Sequence, residues 1–356
     1  MTPLLAALLL AAGSAPLPAR PAPRAAPPLR IVTTLTTYAA IAREIVGDRA
    51  TVSSIAEGDE DPHFVQPRPS FVPALRDADL FVTTGMDLEL WVPALLDRAN
   101  NARIREGGVG YVPAFRGVRI MEIPTSTSRA QGDIHADGNP HIQSDPVNAV
   151  VIARNILAGL VRVAPADSAA FAARERDFEL RILRATFGDD LVRILTPDGL
   201  FDLANSDRLV SFLQQTRYQG QPLWARLGGW MRQALPFRGR QMVCYHKEYS
   251  YLSRRFGVDC VEYIEPKPGI PPTPRHVQDV IALMREQHIP VLLAANFYNR
   301  DEIRQVAERT GATAVVVPEN TDGAPGIVTY FDLMNAWITE LAHAFGPAAG
   351  SGGSAR

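Results

Sequence analysis

The sequence predicts an α/β protein of two parallel-sheet lobes joined by one long connecting helix, and three observations predict it. A chain of 356 residues is longer than one hydrophobic core usually organises. From Leu29 onward, short β-branched runs alternate with helical patterns, as in βαβ units whose parallel strands are covered by helices. Between two such regions, a charged helical pattern from Asp167 to about Phe187 follows Pro165, with Asp167 or Ser168 placed to cap it. That pattern is long enough to bridge two lobes.

In the first lobe, expected over 30–163, RIVTTL, TVSSIA and DLFVTT read as strands. Helical spacing falls on Tyr38 to Val46, Ser70 to Arg76 and Asp87 to Ala99. The connecting helix is assigned to 164–187. Residues 188–237 break the alternation and are rich in Leu and turn residues, with Trp224 and Trp230, so they read as an inserted helical segment. Alternation resumes over 238–345 with QMVCY, DCVEYI, PVLLAA and TAVVVP, separated by helices near 248–256, 274–287 and 299–309 and followed by one over about 328–345. The tail 346–356 has too little apolar content to fold.

The apolar run Leu4 to Ala12, the small residues Ser14 and Ala15, and a Pro/Ala-rich stretch make residues 1–29 a secretory signal and leader. The run is too short for an ordinary membrane span. No cysteine follows it, so the mature chain is expected to be exported without a lipid anchor, soluble in a bacterial periplasm, and monomeric. A formal net charge of -2 argues against a nucleic-acid partner. Cys244 and Cys260 lack CxxC spacing and sit in apolar strands, where two buried thiols are expected.

Three histidines share one setting: His63 in DEDPHF, His141 in GNPHIQSDP and His246 in VCYHKEY each lie at a strand-to-loop transition. Loops beyond the carboxyl ends of parallel strands form the ligand crevice of open sheets, so these three can converge between the lobes. Neutral imidazole suits zinc, and a closed site wants four donors. Glu319, at the end of the last strand, is placed to be the fourth, with Asp322 in reserve. His135 is another possible donor. Asp61 and Asp145 are placed to accept the second ring N–H of a ligating histidine. Since imidazole must be neutral to ligate, metal affinity is expected to fall below about pH 6.5.

The run RIVTTLTTYAAIAREIVGDRATVSSIAEGDEDPHFVQPRPSFVPALRDADLFVTTGMDLELW resembles the opening lobe of the zinc/manganese solute-binding proteins of ABC transporters. NPHIQSDPVNA and YHKEYSYLSRRFGV, followed by EPKPGIPPTPRHV, extend the resemblance to about residue 345, interrupted by 188–237. The resemblance implies metal ligation by His63, His141 and His246, with an acidic fourth ligand that falls by position on Glu319. It also implies delivery to the membrane permease of an ABC importer. Retention of His246 favours Zn2+ over Mn2+, the alternative cargo. A metal-dependent hydrolase is the competing class, but HExxH and GxSxG motifs are absent. An adhesin on the same fold is a weaker alternative.

Overall fold

The computed structural model describes residues 28–125 and 135–346. The expected leader up to residue 27 and the tail from 347 lie outside them. The first lobe opens with β1 (Leu29–Thr33), α1 (Thr36–Val46), β2 (Ala50–Ser54), α2 (Val72–Arg76), β3 (Leu80–Thr83), α3 (Val92–Ala99) and β4 (Tyr111–Pro113). Its four strands are parallel and ordered β2-β1-β3-β4. The helix expected from Asp87 begins only at Val92. Pro93 has no amide N–H to bond the Glu89 carbonyl, as a helix running from Asp87 requires, and so fits only a first turn. The Glu89 carboxylate instead accepts hydrogen bonds from Thr34, Thr83 and Thr84.

Two long helices follow, α4 (Pro146–Val163) and α5 (Ser168–Phe187). The Asp145 carboxylate accepts from the Val147 amide and Pro146 occupies the first turn, which fixes the start of α4. By length and apolarity α4 passes for a membrane span, but 61% of it is buried within this fold. It lies so close to the first sheet that a Cβ on Gly159 would stand 2.4 Å from Val112. Helix α5 packs along α4 and α1, and its Phe178 meets Phe331 at 5.8 Å between ring centroids. Phe331 belongs to the last helix of the second lobe, so α5 touches both halves of the molecule.

Short helices α6 (Asp189–Leu195), α7 (Pro197–Asn205) and α8 (Leu209–Gln215) come next, then a two-stranded antiparallel ladder of β5 (Arg217–Tyr218) and β6 (Gln221–Pro222), and α9 (Gly229–Gln233). The ladder is absent from the purely helical expectation because a two-residue strand leaves no periodicity to read. The second lobe contains β7 (Gln241–Cys244), α10 (Ser250–Phe256), β8 (Asp259–Tyr263), α11 (Pro274–Glu286), β9 (Val291–Ala295), α12 (Arg300–Thr310), β10 (Thr313–Val317) and α13 (Tyr330–Phe345). Its parallel sheet has the order β10-β9-β7-β8. Counted from β7, that is the first lobe's order again, with a switch point beside the first strand of each lobe, where a ligand crevice forms.

Cys244 and Cys260 form a disulfide rather than the two thiols expected. They lie on neighbouring strands β7 and β8, and a register shift between Met242 and Val243 accompanies a Cα separation of 5.6 Å, within bridging range. Sequence spacing could not show that register.

A single apolar cluster runs from Ile31 in β1 through Phe178 in α5 to Met242 and Trp337 in the second lobe. Buried hydrogen bonds also cross the crevice. Thr37 Oγ1 donates to Asn320 Oδ1 at 2.8 Å, Tyr330 Oη to the Gln143 carbonyl at 2.9 Å, and Tyr251 Oη to the Asn139 carbonyl at 2.7 Å. The lobes are thus held by continuous packing rather than by a bare hinge.

Candidate metal centre

His63 lies beyond β2, His141 just before α4, and His246 just beyond β7. The fold brings all three to one point, with one ring nitrogen of each within 4.8 Å of the others. Ring centroids are 5.1 Å apart for His63 and His141, 5.6 Å for His63 and His246, and 5.7 Å for His141 and His246. A tetrahedral zinc site with bonds near 2.05 Å needs nitrogens about 3.4 Å apart, so a contraction of at most about 1.4 Å closes the triangle.

Each ring is oriented by its other nitrogen. Asp61 Oδ1 accepts from both the amide and Nδ1 of His63, at 2.9 and 2.7 Å. Asn139 Oδ1 does the same for His141, at 2.9 Å for each. Asp61-Pro62-His63 and Asn139-Pro140-His141 are therefore one local device used twice. His246 Nδ1 donates to the Glu265 carbonyl at 2.7 Å. With the proton on Nδ1, every Nε2 is left as an acceptor, and all three Nε2 atoms are buried without a partner. Such orphaned acceptors are costly unless something binds them.

His135 stands beside this group, outside the 4.8 Å set of the other three. Its ring stacks on His63 at 5.4 Å, stands 6.0 Å from His141, and has a buried Nε2 without a partner. Burial, reinforced by the neighbouring imidazoles, lowers His135 to about 4 and His246 to about 3, and holds His141 well below the ordinary histidine range. These three imidazoles therefore stay neutral well below the pH of about 6.5 at which a free histidine charges.

Glu319 is buried at the crevice but is not drawn into the tight histidine group. Its Oε1 accepts from Gln143 Nε2 at 3.1 Å, while Oε2 has no partner. Burial raises its pKa well above the usual carboxyl range, and Glu248 and Asp61 nearby push the same way. Asp322, the reserve candidate, is not at the site. Its backbone turns left-handed at φ 59°, and its half-exposed carboxylate pairs at long range with Arg43. Asp145 does not hold His141 either. Its fully buried carboxylate is taken by the Val147 amide and by Arg255 at 2.8 Å.

Sequence reasoning missed Asn139, Glu265, Gln143 and Glu248. For Asn139 a signal existed, because it precedes Pro-His as Asp61 does. The Glu265 contact is a carbonyl brought in by strand pairing, which no side-chain pattern encodes. Glu248 is buried with both carboxylate oxygens unpartnered, and burial pushes it up to about 8.

The sequence profile of the family described as "Zinc-uptake complex component A periplasmic" matches residues 31–186 and 224–344. The unmatched stretch falls within α6–α8 and the β5–β6 ladder. The iron-binding protein YfeA of Yersinia pestis is 26% identical, over 89% of this chain and 86% of its own length. The manganese-binding lipoprotein MntA of Halalkalibacterium halodurans is 23% identical, over 86% and 85%. Among solved structures, a crystal structure of ZnuA superposes with a TM-score of 0.64 at 16% identity, covering 90% of this chain and all of that one. A periplasmic metal-binding protein from candidatus liberibacter asiaticus gives 0.60 at 18%, covering 89% and 99%. These last two likenesses speak for the shared fold. The profile match, spanning both lobes and the residues that carry His63, His141 and His246, places the chain in the zinc-uptake component A family of ABC-transporter substrate-binding proteins.

Proposed function

We propose that the chain captures one divalent transition-metal ion in the periplasm and hands it to the membrane permease of an ABC importer, with zinc as the favoured cargo. It is read as a binding protein, not an enzyme. One observation carries this reading: three histidines from two lobes, each with Nδ1 tied down, aim buried, unpartnered Nε2 atoms at one point. His63, His141 and His246 are the core ligands, with Asp61, Asn139 and Glu265 orienting them.

The fourth donor decides the metal. His135 completes an all-imidazole set, which suits zinc, and its position against His63 and His141 supports it. Glu319 is the alternative, supported by its unpartnered Oε2, and a carboxylate in the set brings the site nearer to manganese chemistry. The buried interlobe hydrogen bonds favour release by a small tilt and loop movement over a wide opening. Metal analysis of protein taken from its native compartment tests the reading. About one zinc per chain supports it, manganese in that place moves the assignment to the alternative, and no bound transition metal rejects both.

A further inference from the structure

A cavity of about 420 Å³ reaches the histidines from outside, lined among others by Glu122, His135, Asn139, His246, Lys247 and Lys267. Its charge pattern is out of keeping with the rest of the chain. Of the 36 basic residues, 34 are arginine and two are lysine, and those two, Lys247 and Lys267, both line this cavity. Lysine is a compact point charge with three rotatable donors, whereas arginine presents a long planar fork. Lys247 stands 3.5 Å from Glu122 and 5.5 Å over the Tyr263 ring, while Lys267 has no carboxylate partner among the described residues. With the histidines neutral, the two ammonium groups and one carboxylate leave the lining net positive.

A positive vestibule repels a bare dication and attracts an anion. Size points the same way. A hexahydrated ion fills roughly 180 Å³ at about 30 Å³ per water, so the cavity holds considerably more than a hydrated ion. We propose that this vestibule binds a small di- or tricarboxylate together with the metal. One carboxylate then faces Lys267 and Lys247 while another oxygen faces the ion beside His135 and His246. The cargo thereby enters as an anionic chelate, or is held as a ternary complex with the anion. This inference rests on the metal-capture reading above.

Citrate serves as the probe. Zinc-loaded full-length protein is titrated with citrate by calorimetry, and the complex is weighed by native mass spectrometry. Protein, zinc and citrate are expected at one to one to one. Lys267→Met should weaken citrate at least about tenfold, the scale of a lost charge-assisted hydrogen bond. Lys267→Arg should retain most of the affinity, and zinc affinity without citrate should be the same in all three proteins. Citrate that removes zinc instead of joining it, or that binds wild type and Lys267→Met alike, overturns the proposal while leaving metal capture standing. Inorganic phosphate matching citrate overturns the carboxylate assignment. Failure of the wild-type chain to bind zinc at all refutes the metal-capture reading itself.

Discussion

Replacing Asn139 by alanine removes a group that touches no metal, and it should still damage the site. The Asn139 Oδ1 atom holds both the amide and the ring Nδ1–H of His141 at 2.9 Å, in a position only 3% exposed. Its Nδ2 also donates across the crevice to the Lys247 carbonyl at 2.9 Å. Two orphaned buried donors cost about 1–3 kcal/mol each, and the lost interlobe bond adds about 1 kcal/mol. Partial relaxation brings the expected loss of apoprotein stability to about 3 kcal/mol. Freed of its acceptor, the His141 ring loses its fixed tautomer and direction, which should weaken metal binding about 10–100-fold. Urea unfolding of the apoprotein and competitive zinc titration measure the two effects separately. Asn139→Asp retains the acceptor and should recover most of the affinity. If Asn139→Ala unfolds more easily yet binds zinc within about twofold of wild type, ring orientation by Asn139 plays no part in binding.

Reduction of the Cys244–Cys260 disulfide, which closes a loop of sequence separation 16, should cost about 3 kcal/mol by the chain-entropy account. An unchanged denaturation midpoint after reduction contradicts this. For pH, the sign follows from the direction of each shift. His246, lowered to about 3, stays neutral in the fold while the unfolded chain takes up protons. Apoprotein stability should therefore fall by about 1.4 kcal/mol per pH unit for this group as pH drops from about 6.5. Glu248, raised to about 8, acts oppositely: its contribution is present below about 4.5 and is lost as pH rises through 8. Urea midpoints of His246→Gln and Glu248→Gln against pH should each lack the corresponding slope, and profiles parallel to wild type count against the burial argument. Among candidate fourth donors, Asp322→Asn should leave zinc affinity unchanged, because that side chain pairs with Arg43. His135→Ala should weaken binding at least about tenfold, and a loss confined to Glu319→Gln transfers the role to the carboxylate.

Much of the fold is legible in sequence because strands buried in parallel sheets read as short apolar runs. QMVCY, PVLLAA and TAVVVP contain β7, β9 and β10 within a residue or two of the observed ends. Strand β4 has only three residues and α4 is apolar on most of its surface, so neither offers a clear period. His63 and His246 were legible because they follow the strands β2 and β7, but His141 lies far beyond β4 and just before α4, so it was legible through the family resemblance of NPHIQSDPVNA rather than through a strand end. Apart from Asp61, which accepts from His63 Nδ1, the supports of these histidines were not legible, since Glu265 contributes a carbonyl and Asp145 is claimed by Arg255 from a helix more than a hundred residues away. The disulfide depends on strand register in the same way. Pairing in space, rather than residue type, decides these contacts.

The proposed metal site draws its histidines from both lobes. Zinc titration of apoprotein against His246→Ala tests it most directly, since His246 is the second lobe's histidine in the convergent triad. Wild type should bind one ion per chain, and the variant should bind at least about a hundredfold more weakly while remaining folded. Wild-type affinity in His246→Ala would contradict the account, because the ion would then be held by the first lobe alone.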